Sequence, residues 1–360
     1  MKYINKLFLG LLIISFGCEQ GYIDEISAVD PGEDKNAPEV TFIVPEEGME
    51  INSANDVSEV LFQFQVADDI ELESVDVTLN GEELESYSSF KDYRKLIVNF
   101  PYDLGIGDHS LTVSATDLSG KTTTEVVNFK KINTIRELME EAIFHLDFNG
   151  DYEDNVTEVS ATVVGSPSII ESGVDEEAYQ GAADSYLTFA ATGLQSTEFS
   201  ASFYLNINAS PDRAGILVMG PEDLANGGYP DVQNKRTNGF RFFRENGAGL
   251  QQFKLNIGNG SGENWFDGGA AARVDPASTE WVHFAFTISS SHAIVYINGE
   301  VVSENDFGGI DWTGCDVLSI MSGAPRFTEW GHHSDASQMD ELLIYDRVLT
   351  QEEVLLLGAL

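Results

Sequence analysis

The chain has 360 residues, 42% of them hydrophobic, and carries 60 acidic against 19 basic side chains, a formal net charge of -41. That balance argues against nucleic acid or anionic lipid as a partner and favours cations such as calcium. Two cysteines cannot supply a disulfide framework, so packed apolar cores must hold a chain that is long for one domain and comfortable for two.

At the N-terminus, Lys2 and Lys6 precede an apolar run from Leu7 to Phe16 that closes on Gly17 and Cys18. Residues 1–17 read as a secretory signal, too short for a membrane span. The ending SFGC resembles a bacterial lipobox in relaxed form, with Ser15 where leucine is commoner. The resemblance implies that Cys18 is lipidated and that contact with the membrane is made through the lipid alone; an ordinary cleaved signal with an incidental cysteine is the alternative. Residues 19–39 hold seven acidic side chains against Lys35, so residues 18–36 are expected to form a disordered tether. An acidic stretch so near the lipid resembles the export signal of Bacteroidota lipoproteins, which implies the outer membrane, facing the cell exterior.

Strand patterns dominate from residue 37. In EVLFQFQVADD, Val60, Phe62, Phe64 and Val66 alternate with polar neighbours, and VDVTLNGEEL alternates into an Asn80-Gly81 turn. Leu111, Val113 and Ala115 share one face of the next strand, which ends at a Gly120 turn. Residues 37–131 are therefore predicted to form a small antiparallel sandwich. The run from NAPEVTFIVP to LGIGDHSLTVSATDLSGK resembles bacterial immunoglobulin-like modules, which implies a spacer.

TIRELMEEA, with Thr134 and Glu137 spaced as a capping box, predicts a short helical linker over residues 132–141. Strands resume in residues 142–360 as AIFHLDF, SYLTFAA, FSASFYLNI, GFRFFRE, FKLNIG, WVHFAFTI, AIVYINGEVV, VLSIMSG and ELLIYD, separated by Gly, Asn or Asp turns. Their number and spacing predict an all-β, two-sheet jelly roll.

EWVHFAFTISSSHAIVYINGEVV followed by MDELLIYDRVLTQEEVLLL resembles the LamG-like jelly roll of the concanavalin A-like lectin and glucanase superfamily. Trp281 and His283, the Asn298-Gly299 hairpin and the stretch from Asp340 to Leu357 carry the likeness. These are markers of fold, and the superfamily contains lectins, enzymes and protein-binding modules alike. The two ring-bearing residues Trp281 and His283 are expected to be structural.

Motifs for catalysis are not found. No E-x-D-x-x-E strand offers the paired carboxylates of a retaining glycosidase, and neither a nucleophile elbow nor an H-E-x-x-H helix occurs. His332 and His333 are adjacent, so on a strand they point to opposite faces and are poorly placed to share a zinc ion. Asp147, Asp151 and Asp154 in LDFNGDYEDN, with Asp340, are either solvated turn carboxylates or ligands of the structural calcium that the family resemblance implies.

Residues 235–273 depart most from the background, with six basic side chains and three acidic ones. Trp265 and Phe266 lie there in a glycine-rich segment, where exposed rings could stack on sugar faces. Arg241, Arg244 and Arg273 could bind carboxylate or sulfate, although Arg241 and Arg244, three apart on a strand, face opposite ways. PRFTEWGHHSD forms a loop between VLSIMSG and ELLIYD, and Arg326, Trp330, His332 and His333 would stand on the rim of the same surface. The expected ligand set is thus Trp265, Phe266, Trp330, Arg244, Arg326 and His333. Tether, spacer and lectin-like jelly roll together resemble the surface glycan-binding proteins of Bacteroidota polysaccharide-utilisation systems. This implies non-catalytic capture of a polysaccharide, expected to be anionic and uronate-containing, for an outer-membrane importer and its enzymes. The alternatives are an adhesin or protein-binding module, and a glycoside hydrolase or polysaccharide lyase with an unrecognised site.

Overall fold

The structure is a computed structural model that describes residues 32–360. The signal segment, Cys18 and most of the acidic tether lie outside the described residues. Two compact units are present: one contains Glu59–Tyr102 and Asp108–Phe129, the other Glu50–Ser58, Asp103–Gly107 and Lys130–Leu360.

The N-terminal strands form a three-stranded sheet (Glu39–Val44, Ser58–Ala67, Lys95–Leu104) and a five-stranded one (Glu50–Ser53, Thr122–Asn133, Gly107–Asp117, Leu72–Leu79, Glu82–Tyr87). The alternating residues Phe62, Phe64, Val66, Val75, Val77, Leu111, Val113 and Ala115 are all buried, as period-two patterning requires. Asn80 and Gly81 both take positive φ, the geometry of a tight hairpin turn. One pairing departs from the antiparallel expectation: Glu50–Ser53 runs parallel to the end of Thr122–Asn133.

The C-terminal strands form two eight-stranded sheets. The front sheet runs, in order, Thr162–Val164, Tyr186–Ala190, Val317–Ile320, Ala214–Met219, Phe240–Gly247, Leu250–Gly258 and Glu263–Asp267, with Arg273–Val274 paired to Leu250–Gly258. The back sheet runs Ser168–Ile170, Ala178–Gln180, Gln338–Tyr345, Phe199–Asn206, Trp281–Ile288, His292–Ile297 and Glu300–Asp306, with Phe144–Leu146 paired to Gln338–Tyr345. Between them lies one apolar core, in which Phe199, Phe203, Phe284 and Phe286 of the back sheet meet Phe240, Phe242, Phe253 and Leu255 of the front. Each such ring contributes about 1.5–3 kcal/mol on leaving water.

Sequence patterning misses Ala214–Met219, whose residues are all buried. Its run AGILVM does not alternate, because a loop covers the face turned away from the core. Asn298 and Gly299 form the expected hairpin, both at positive φ. The linker helix is Thr134–Glu140, and its cap is Asn133 rather than Thr134: the Asn133 side chain accepts from the N–H groups of Ile135 and Arg136. The C-terminal helix Gln351–Leu357 has a full capping box between Thr350 and Glu353. Among the described residues no helix is long and apolar enough to cross a membrane.

Candidate functional site

Along Phe240–Gly247, alternation sends Phe240 and Phe242 into the core and Phe243 outward, where it joins Val218 and Phe327 in a small buried cluster. Phe327 belongs to the PRFTEWGHHSD loop, which therefore folds over the outer face of the front sheet. His332 packs between these rings, its centroid 4.6 Å from Phe243 and 4.4 Å from Phe327. Two tryptophans extend the aromatic row at its ends: Trp265 lies 6.0 Å from Phe243 and Trp330 lies 6.4 Å from Phe327. Both are exposed, at 39% and 41%.

Arg236 connects the two indoles. Its guanidinium stands 4.4 Å from the Trp330 ring centroid and 5.7 Å from that of Trp265, and Nη1 lies 2.7 Å from a Glu263 oxygen. Arg241, on the outer face but fully buried, fixes the segment that carries it: Nη1 donates to the Asn238 carbonyl at 2.7 Å and Nη2 donates to the Lys235 carbonyl. Burial without a paired carboxylate pulls its pKa down to about 10, so it stays charged at neutral pH.

Glu245 sits beside this row with Lys254 at 3.1 Å, His332 at 3.2 Å and Arg213 at 3.4 Å. The His332 hydrogen bond first, then Lys254 and Arg213, hold its carboxyl down at about 2 against the opposing effect of burial. Burial pushes the His332 pKa down, so a neutral ring donating from Nε2 accounts for both groups. The Asp267 carboxyl is lowered too: burial opposes ionisation, and hydrogen bonds from Gly269, Lys254 and Gln252 outweigh it.

His333, next in the chain, is exposed and lines a cleft of about 400 Å³ with Arg213, Asp184 and Ser210. His332 is buried and His333 exposed, and neither lies on a strand. Trp265, Trp330 and His333 are thus solvent-facing, and Arg213, whose Nη1 donates to the Trp330 carbonyl at 2.8 Å, links the aromatic row to the cleft.

Three expected ligand contacts are corrected. Arg244 is fully buried and doubly bonded to Asp335, Nε to Oδ2 at 2.5 Å and Nη2 to Oδ1 at 3.0 Å. Arg326 is buried and paired with Asp316 at 2.7 Å and Glu222 at 3.0 Å. Phe266 packs into the core, because it alternates with Trp265 on the strand Glu263–Asp267. Neither Arg241 nor Arg244 reaches a groove, and Arg273 donates instead to Gln252 at 2.9 Å.

Backbone N–H groups engage each of the four expected calcium ligands. Asp154 is buried and accepts from the His145 and Val156 N–H groups and from Thr157 Oγ1. Asp340 accepts from the N–H groups of Val174, Asp175 and Glu341, while Asp147 and Asp151 accept from those of Asn149 and Glu153. Among the described residues no group of three or more His, Cys, Asp or Glu side chains is arranged to hold a metal ion. His283 is buried and structural as expected, bonded through Nε2 to Ser202 at 2.8 Å; Trp281 is only half-buried.

Two stacked antiparallel sheets of eight strands make the C-terminal domain a concanavalin A-like jelly roll with a lectin-like fold. Its sequence agrees: residues 180–355 match the family model Laminin_G_3, of the concanavalin A-like lectin/glucanases superfamily. No curated protein matches the chain. Among solved structures, domain 4 of AbnA, a GH43 extracellular arabinanase from Geobacillus stearothermophilus in complex with arabinotriose, is 16% identical, covering 61% of this chain and 98% of that one with a TM-score of 0.46. A Bacteroides ovatus protein provisionally named as carbohydrate binding is 13% identical over 88% of this chain and 84% of its own, with a TM-score of 0.38. The binding domain of botulinum neurotoxin serotype C1 is 14% identical over 61% of this chain and 52% of its own, with a TM-score of 0.42.

Proposed function

We propose that the jelly roll binds a polysaccharide without cleaving it, by stacking sugar faces on Trp265 and Trp330. The observation that carries this reading is that two of the chain's four tryptophans are exposed on one sheet face, bridged by the same Arg236 guanidinium and backed by buried Phe243 and Phe327. Rigid rings held from behind lose little entropy on binding.

A non-catalytic role is favoured by the carboxylates around the row. A glycosidase needs one carboxyl with a raised pKa to act as acid. Here Glu245 and Asp267 are pushed down, and Glu263 is ion-paired with Arg236. The expected anionic preference rested largely on Arg244, neutralised in a buried pair with Asp335, and on Arg326, paired with the exposed carboxylates of Asp316 and Glu222; Arg236 and Lys254 are likewise paired with Glu263, Glu245 and Asp267. A neutral glycan is therefore the better match. Affinity electrophoresis tests this directly: retention is expected in gels of neutral glucan, lost in the Trp265→Ala/Trp330→Ala double variant. Salt-sensitive retention in alginate would favour the anionic class, equal retention of parent and double variant would refute the surface, and release of sugars from a polysaccharide panel would favour an enzyme.

The same proposal places the protein on the cell exterior, anchored through lipidated Cys18, where it would hand glycan to an outer-membrane importer and its enzymes. SFGCEQ supports the anchor. Cys18→Ala should release the protein from membranes; membrane association unchanged by the substitution would count against it.

A further inference from the structure

On the outer face of the back sheet, at one end, Gln180, Gln338 and Asn206 stand side by side on three neighbouring strands, Gln180 opposite Gln338 and Gln338 opposite Asn206. With Asn208, Thr279 and Ala336 they line a cleft of about 350 Å³ that contains no charged residue. In a chain with 60 acidic side chains, a surface concavity lined by four amides and no carboxylate is a local exception. Its size suits one or two sugar rings.

Hydrogen bonding inside the cleft leaves complementary groups unused. Gln180 Nε2 spans the Gly181 and Ala336 carbonyls, both at 3.0 Å, which fixes its plane. Gln338 Nε2 donates to Gln180 Oε1 at 3.1 Å, and Asn206 Nδ2 donates to the Thr279 carbonyl at 3.0 Å. Each of these two amides keeps a second N–H, and neither Gln338 Oε1 nor Asn206 Oδ1 has a donor among the described residues. A neighbouring free donor and free acceptor, both uncharged, match a hydroxyl, which is itself donor and acceptor. A row of two such amides matches adjacent hydroxyls on one ring, and it gives neither an anion nor a cation a counter-charge.

We propose that this amide cleft is a second binding site, distinct from the tryptophan row, for a neutral saccharide bearing vicinal hydroxyls. It adjoins the His333 cleft, with which it shares Ala336. It stands on its own geometry and does not need the aromatic surface to bind.

The test is saturation-transfer NMR on the full chain carrying Trp265→Ala/Trp330→Ala, so that failure of the aromatic surface cannot mask the result. Methyl β-glucopyranoside, methyl α-mannopyranoside and methyl α-arabinofuranoside are the probes, with glucuronate as the charged control. Transfer to at least one neutral glycoside is expected, with glucuronate at least tenfold weaker, and Asn206→Leu/Gln338→Leu should abolish it. Where the leucine pair fails to fold, the near-isosteric Asn206→Asp supplies the same readout, since it removes the donors and adds a charge. No transfer from any neutral probe, transfer equal to that of glucuronate, or transfer that survives substitution of the amides would overturn the assignment.

Discussion

Replacing Asp335 by Asn would leave the Arg244 guanidinium charged in a place fully closed to water. Asp335 now meets Nε and Nη2 in a two-pronged pair, and its Oδ1 also accepts from the Ser337 N–H at 2.7 Å. Gln251 Oε1 takes the remaining Nη1. Removing one partner of such a buried pair costs about 3–5 kcal/mol, because the other charge keeps its desolvation penalty without compensation. For a domain of this size each kcal/mol moves the melting temperature by about 2–4 °C, so Asp335→Asn should lower it by roughly 6–20 °C. Tryptophan fluorescence is the natural probe, since all four tryptophans lie in the jelly roll. Arg244→Met/Asp335→Leu, which removes both charges and keeps the volume, should recover most of the loss. Below the transitions, retention by a glycan gel should be the same for the parent and the double variant. A melting temperature for Asp335→Asn within about 2 °C of the parent would refute the pair as a structural element. Lost retention in a folded double variant would return Arg244 to the ligand surface.

Two further outcomes follow from buried groups. Burial holds the His283 imidazole down at about 4, below its ordinary value of about 6.5, so the unfolded chain binds the proton more readily. Stability is then intact above the ordinary value and lost as the pH falls from about 6.5 to 4, by an amount on the order of 3 kcal/mol. Urea midpoints at neutral and mildly acid pH should diverge less in His283→Asn than in the parent, and equal divergence would contradict the buried neutral ring. Burial also pushes the Cys315 thiol up to about 11. In a Cys18→Ala background, labelling by a thiol reagent should therefore be slow when folded and complete in denaturant; equal rates would show that the thiol is open to solvent.

Much of the architecture is legible in the chain because period-two patterning and Asn-Gly turns act locally. Phe62, Phe64 and Val66 and the Asn298-Gly299 hairpin could each be read from neighbours alone. The strand Ala214–Met219 could not: its outer face is dry only because Phe327, more than a hundred positions later, folds back over Val218 and Phe243. The arginines make the same point. Composition marks residues 235–273 as basic, but charge along a chain does not reveal which carboxylate will stand opposite. Asp335 and Glu222 engage Arg244 and Arg326 through contacts distant in sequence, while Arg236, unremarkable among its neighbours, comes to rest between two tryptophans 65 residues apart. The amide row is hidden in the same way, since Gln180, Asn206 and Gln338 become neighbours only by strand register. Sequence by itself determined the jelly-roll and sandwich class, because faces and turns follow from local alternation. Which cations remain free, and where uncharged polar groups gather, was decided only when cross-strand pairing and loop closure brought remote residues within hydrogen-bond reach.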